Sequence, residues 1–129
     1  MLKKLLLIAV VGTVTGTATA GEVEIIDVEF EKSGRGWDVR TTLRHSDAGW
    51  DHYADAWRIV SADGQVVGTR ILHHPHVNEQ PFTRSLHLTI PRNLHTVYIE
   101  ARDSKHGWSP QRVEVDLRRT RGPKYRIRR

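Results

Sequence analysis

Apolar and polar residues alternate along seven short runs of this chain, and this pattern constrains the fold more than any other feature. In the first run, Ile26, Val28 and Phe30 alternate with acidic residues. A period of two is typical of a half-buried strand, and turn sequences at 33–36 and 62–65 separate neighbouring runs. The seven predicted strands are 23–31, 37–44, 52–61, 66–72, 83–90, 96–102 and 111–117.

Seven short strands with turn signals between them predict an all-β fold, a seven-stranded antiparallel sandwich. No run after residue 20 has the periodicity of a helix. A length of 129 residues suits a single domain. The predicted sandwich domain covers residues 21–117, and because the chain has no cysteine, its core must hold it together without disulfides.

The first twenty residues have the pattern of a secretory signal peptide. Lys3 and Lys4 precede a short apolar run, and Ala18-Thr19-Ala20 supplies the small residues of a cleavage site before Gly21. The apolar run is shorter than a membrane-spanning helix requires, although a retained N-terminal anchor is an alternative. No cysteine lies near the cleavage site, so no lipid anchor is expected. These features predict a periplasmic or secreted protein.

The charge of the chain is divided between two segments. The whole chain carries +5 at pH 7, but residues 21–117 hold eleven basic and fifteen acidic side chains, a net charge of −4. Residues 118–129 hold seven Lys or Arg and no acid. This tail is predicted to be disordered. Its expected partner is an anionic membrane surface, the alternative is a solubilising tail, and nucleic acid is not expected in an exported protein.

The last third of the chain resembles a known family of domains. The residues that carry the resemblance are Ile90-Pro91, Val97-Tyr98-Ile99-Glu100-Ala101-Arg102-Asp103, Gly107-Trp108-Ser109-Pro110 and Val113-Glu114-Val115. They are similar to the second half of a fibronectin type III domain, which has a proline turn, an alternating sixth strand, a Gly-Ser-Pro loop and a Val-x-Val seventh strand. The resemblance implies an immunoglobulin-like sandwich.

Histidines gather at one end of the predicted sandwich. In a sandwich of this connectivity, the loops after the second, fourth and sixth strands lie at the same pole. Six of the eight histidines lie in or beside these loops, and the other two are His87 and His95. The six candidate metal ligands are His45, His52, His73, His74, His76 and His106.

Imidazole is the commonest metal ligand, and several from different loops suit copper or zinc. His74-Pro75-His76 is the favoured local pair because proline restricts the backbone between the rings. Asp51, Asp103 or Glu79 is expected to complete the site or to orient a histidine. Copper is preferred to zinc because an exported, cysteine-free site rich in histidine suits Cu(II).

Two other interpretations of this pole remain open. One is a protein-interaction or adhesion face without metal, built around Trp50 and Trp108. The other is a purely structural pole with solvated histidines. An enzyme is not expected, because no motif places Ser46, His52 and Asp103 as a catalytic set. Convergence of at least three of the six histidines favours the metal interpretation, and scattered histidines beside an exposed aromatic patch favour the interaction module.

Overall fold

The computed structural model describes residues 21–129, so the predicted signal segment 1–20 lies outside the described residues. These residues form ten strands in two sheets. No helix within 21–129 is long and apolar enough to cross a membrane. The strands are β1 (Glu24–Ser33), β2 (Gly36–Arg44), β3 (Ala54–Ser61), β4 (Val66–Ile71), β5 (Phe82–Leu88), β6 (Thr96–Asp103), β7 (Gly107–Trp108), β8 (Val113–Asp116), β9 (Arg121–Gly122) and β10 (Tyr125–Arg128).

Each of the two sheets contains strands from distant parts of the chain. The first sheet has the order β5-β2-β1-β10-β9, and the second has the order β4-β3-β6-β7, with β8 also paired to β6. Every pair is antiparallel except β1 with β10, which is parallel. The predicted all-β sandwich is therefore confirmed as two sheets, but there are ten strands rather than the expected seven, and the β1–β10 pair departs from the expected antiparallel arrangement.

The core lies between the sheets and follows the alternation read from the sequence. In β6, buried and partly exposed residues alternate along the whole strand. The largest fully buried side chains include Phe30 from the first sheet and Trp57 and Ile99 from the second. Burial of such side chains contributes about 1.5–3 kcal/mol each and is the main stabilising contribution in a chain without disulfides.

The seventh predicted strand corresponds to β8, whereas β7 lies in the predicted loop between the sixth and seventh strands. Both pair with β6, each with a different part of it. Between them the chain turns toward the first sheet, where Gln111 bonds both backbone groups of Ile25. The Ile25 N–H donates to Gln111 Oε1 at 2.7 Å, and Gln111 Nε2 donates to the Ile25 carbonyl at 3.0 Å. The pairing of β1 with β2 is irregular just after Ile25. The Gln111 amide thus satisfies backbone groups of β1 and ties the two sheets together.

The basic tail is ordered, and the expectation of a disordered segment at 118–129 is wrong. Residues Tyr125–Arg128 form β10, which pairs with Val28–Glu31 of β1. Tyr125 and Ile127 are buried in the core. Arg126, which points outward, lies 3.1 Å from Asp27 and 3.2 Å from Glu29. The acidic outer face of β1 therefore neutralises the charge that suggested disorder, while the alternate apolar residues pack inward.

Replacing Ile127 with alanine is expected to lower the free energy of unfolding by about 3 kcal/mol, because it leaves a cavity beneath β10. Urea denaturation of residues 21–129 measures the change. The matched control is Arg121→Ala in β9, where the side chain is exposed and the expected change is below about 0.5 kcal/mol. Equally small effects for both variants would contradict the packing of the tail into the core.

Candidate metal centre

The loops β2–β3, β4–β5 and β6–β7 share one pole of the sandwich, together with the residues that precede β1. Antiparallel pairing of Glu24 with Arg44 places the start of β1 beside the end of β2. Pairing of Ala54 with Asp103 places the start of β3 beside the end of β6. Strand ends therefore bring residues from distant parts of the chain to this pole.

Two histidines and one aspartate converge there. The Nε2 atoms of His45 and His52 lie 3.2 Å apart. The carboxylate of Asp103 faces both rings, with Oδ2 at 3.8 Å from His45 Nε2 and Oδ1 at 3.4 Å from His52 Nε2. One ligand atom from each residue fits within a mutual distance of 4.8 Å. The side chains of His45 and Asp103 are fully buried, whereas that of His52 is partly exposed.

The spacing of these atoms suits a small transition-metal ion. Nitrogen and oxygen donors bind Zn²⁺ at about 2.0–2.2 Å, so two donors in a tetrahedral set lie about 3.3 Å from each other. The observed separations of 3.2, 3.4 and 3.8 Å are close to that value. His45, His52 and Asp103 therefore fit as three ligands from three separate segments.

Asp47 fixes the orientation of the His45 ring. Its Oδ1 lies 2.5 Å from His45 Nδ1 and also accepts the backbone N–H of Ala54 at 3.0 Å. Its Oδ2 accepts the backbone N–H of His76 at 2.7 Å. When His45 Nδ1 donates its proton to Asp47, the Nε2 lone pair is directed at the cluster. This arrangement of a carboxylate behind a histidine is usual at metal sites.

Asp103 is held in its charged form by its own turn. Burial raises the pKa of this carboxyl, but hydrogen bonds from the backbone N–H groups of His106 and Lys105 and from the His106 ring outweigh it, so the pKa lies below its usual value. His106 Nδ1 lies 3.1 Å from both carboxylate oxygens. Asp103 is therefore anionic at neutral pH, as a metal ligand must be.

His106 is the third histidine of the group. Its ring centroid lies 4.9 Å from that of His52, and the rings of His45 and His52 are 4.6 Å apart. Because its Nδ1 faces both carboxylate oxygens, His106 orients Asp103. His45, His52 and His106 are thus the candidates that the structure brings together.

The other three candidate histidines lie outside the cluster. His73 and His74 are exposed, and His76 is buried. The His76 ring stacks on Phe82 with centroids 4.0 Å apart, and neither ring nitrogen has a hydrogen-bond partner among the described residues. The rings of His74 and His76 are neighbours at 4.8 Å. The favoured His74-Pro75-His76 pair therefore exists as a separate feature.

Of the acids expected to support the site, Asp103 lies within it. Asp51 is exposed, and Glu79 forms an ion pair with Arg84 at 3.0 Å. Asp47, which sequence reasoning missed, takes the supporting role. Its position two residues after His45 was the available signal, since a short turn allows a carboxylate to reach back to the preceding ring.

Gly21 is a second residue that sequence reasoning missed. Its carbonyl oxygen lies 3.0 Å from His45 Nε2 and 3.1 Å from His52 Nε2. The pole therefore gathers two imidazole nitrogens, a carboxylate and a carbonyl oxygen. Acceptor atoms this close to one another are stable only when protons or a cation lie between them.

The aromatic residues of the pole divide between two environments. Trp50 is 67 % exposed and contacts Tyr53 edge-on. Trp108 is partly buried beneath the Arg58 guanidinium, which lies 3.7 Å from its ring centroid. The expected aromatic patch is therefore limited to Trp50 and Tyr53, because Arg58 covers the second tryptophan.

Asp47→Ala is expected to destabilise the fold by about 3–5 kcal/mol, because it leaves three buried donors without an acceptor. These donors are the ring of His45 and the backbone N–H groups of Ala54 and His76. Chemical denaturation of the metal-free protein measures the loss. Asp51→Ala removes an exposed carboxylate from the same loop and is expected to change stability by less than about 0.5 kcal/mol. Similar results for the two variants would refute this role of Asp47.

Metal-free protein is expected to lose stability below about pH 6.5 in part through His76. Burial, with Arg84 and His74 near by, lowers the pKa of His76 below 6.5. The unfolded chain therefore binds a proton that the folded chain rejects, so the contribution of His76 is full above pH 6.5 and declines as the pH falls. His76→Leu should reduce the loss measured by denaturation between pH 7.5 and 5.

The control for that experiment is His95→Leu, which removes one exposed histidine away from the pole. An equal loss of stability in the wild type and in His76→Leu would show that the buried ring does not contribute.

Comparison with known proteins gives one similarity of note. No family model matches the chain, and no solved structure matches it. A protein of Halomicrobium mukohataei named "Putative lipoprotein" is 34 % identical over 105 residues, which cover 81 % of this chain and 52 % of that protein. The chain therefore spans about half the length of this relative.

Proposed function

We propose that this chain is an exported, non-enzymatic metal-binding protein that holds a transition metal, copper in preference to zinc. The ligands are His45, His52 and Asp103, and His106 either orients Asp103 or adds a further nitrogen. The observation that carries the proposal is the convergence of the first three residues within 4.8 Å at one pole.

The donor atoms favour copper in its oxidised state. Imidazole nitrogen and carboxylate oxygen suit Cu(II) and Zn(II), and Cu(II) is the more strongly bound of the two in sites of this kind. The chain has no cysteine, and its single methionine is Met1. Residues 21–129 thus offer no sulfur ligand of the type that Cu(I) prefers.

Export is supported by two independent observations. The first twenty residues have the charge, apolar run and Ala18-Thr19-Ala20 pattern of a signal peptide. The similar protein of Halomicrobium mukohataei is named "Putative lipoprotein", and lipoproteins are exported to the cell envelope. The proposed location is therefore periplasmic or secreted, where Cu(II) is the stable form of copper.

The sandwich type that we propose is that of the fibronectin type III family. One sheet contains β5-β2-β1 and the other contains β4-β3-β6-β8, and this division of the seven main strands supports the type. On such scaffolds, loops at one pole commonly carry binding. That pole is here the one that holds the histidines.

An interaction module without metal is the second candidate. Its support is the exposed apolar surface at the same pole, where Trp50 is 67 % and Val77 is 55 % exposed. This candidate requires no metal affinity at His45 or His52. Metal binding therefore separates the two functions directly.

The test is calorimetric titration of the metal-free protein, residues 21–129, with Cu(II) and then with Zn(II). The tail is retained because β10 belongs to the first sheet. One Cu(II) ion per chain is expected to bind with a Kd below about 1 µM. His52→Ala is expected to weaken binding by at least about tenfold, since even a supporting partner of a metal ligand is worth that much.

The matched control is His74→Ala, which removes an exposed histidine from the neighbouring His74–His76 pair. It is expected to leave Cu(II) affinity unchanged. Loss of binding in His74→Ala but not in His52→Ala would show that the metal binds at the His74–His76 pair instead. Absence of binding in the wild type would overturn the metal function and favour a search for a protein partner.

A further inference from the structure

Gly21 lies against all three clustered histidines. Its carbonyl oxygen is 3.0 and 3.1 Å from the Nε2 atoms of His45 and His52. Its α-carbon faces the third ring, because a β-carbon built on it would lie 3.3 Å from His106 Cε1. Gly21 is also the residue that follows the predicted cleavage site after Ala20. The contacts with the histidines come from the structure and the cleavage site comes from the sequence pattern, so the two observations are independent.

Cleavage at that site changes the chemistry of the Gly21 nitrogen. A signal-processing protease adds water across the Ala20–Gly21 bond, so that Ala20 gains a carboxylate and Gly21 gains a free α-amine. Before cleavage, the nitrogen lone pair is delocalised into the peptide bond and does not bind metals well. After cleavage it is a strong nitrogen donor. The nitrogen and carbonyl oxygen of one residue are about 2.7–3.6 Å apart, so this amine lies within about 3.6 Å of the carbonyl oxygen that contacts His45 and His52.

We propose that the free α-amine of Gly21 is a ligand of the His45–His52–Asp103 site, which becomes complete only after the signal segment is removed. This inference rests on the proposed metal function. The amine nitrogen and the carbonyl oxygen of Gly21 bind the same ion and close a five-membered ring with it. The second donor binds at little further entropic cost, because the first already holds it in place.

Glycine is suited to this position because it has no side chain. A β-carbon at Gly21 would press against the His106 ring, at the 3.3 Å separation given above. The absence of a side chain at Gly21 therefore allows the new N-terminus to lie close to three imidazole rings.

The donor set that results favours copper over zinc more strongly than the side chains alone. His45, His52 and the amine supply three nitrogens, and Asp103 and the Gly21 carbonyl supply oxygens. A nitrogen-rich set of this kind suits the tetragonal geometry of Cu(II). The uncleaved precursor lacks one nitrogen, so tight loading follows export and processing.

The experiment compares two forms of the protein that differ by one residue. One begins at Gly21 and the other at Ala20, which moves the free amine one residue away and leaves every side chain of the cluster in place. Cu(II) affinity is measured for both by competition with a chelator. The form that begins at Ala20 is expected to bind at least about tenfold more weakly, as expected for loss of a ligand.

A spectroscopic measurement identifies the nitrogen directly. The form that begins at Gly21 is made with ¹⁵N-glycine, and electron paramagnetic resonance of its Cu(II) complex is recorded. A change in the nitrogen hyperfine pattern is expected, because the amine is bound to the metal. Thermal unfolding of both metal-free forms confirms that the added residue leaves the fold intact, and the isotope result does not depend on the longer form.

The outcomes distinguish this inference from the metal function on which it rests. Equal affinities with an unchanged hyperfine pattern would overturn the role of Gly21 and leave the histidine site standing. Failure of both forms to bind Cu(II) would overturn both proposals. Weaker binding at Ala20 together with an isotope effect at Gly21 would support the amine as a ligand.

Discussion

The buried carboxylate of Asp47 is the interaction on which the histidine pole depends. It joins the ring of His45, the start of β3 at Ala54 and the backbone of His76, so a single side chain fastens three segments. An unpaired buried carboxylate would be strongly unfavourable, and these three donors offset that cost. Because the same carboxylate orients His45, the packing of the loops and the direction of a candidate ligand are linked.

The pole is also organised by charge. Asp47 and Asp103 are both fully buried, and they lie on opposite sides of His45. Two buried carboxylates on either side of an imidazole ring create a potential that attracts a cation. His106 donates a hydrogen bond from Nδ1 to the Asp103 carboxylate. The structure therefore pairs a rigid support with an electrostatic field of the sign that a metal ion requires.

Sequence reasoning succeeded where local pattern determines structure and failed where distant strands meet. Alternation predicted the two-sheet sandwich. Tyr125 and Ile127 also alternate with basic residues, but the high charge of the tail led to a prediction of disorder instead. Loop connectivity placed the histidines at one pole. It could not tell which rings meet, because the contacts among His45, His52 and Asp103 depend on strand register. The role of Gly21 could not be predicted either, because its contacts with the histidines also depend on how distant strands pair.

The parallel pairing of β10 with β1 has a consequence for synthesis of the chain. β1 is made before the other nine strands, and one of its two neighbours, β10, is made after all of them, so the first sheet keeps an open edge at β1 until residues 125–128 have been made. Because the first sheet cannot form completely before β10 is made, the chain can remain unfolded for passage through an export channel. Premature termination would leave that edge exposed, and exposed edges recruit strands from other chains.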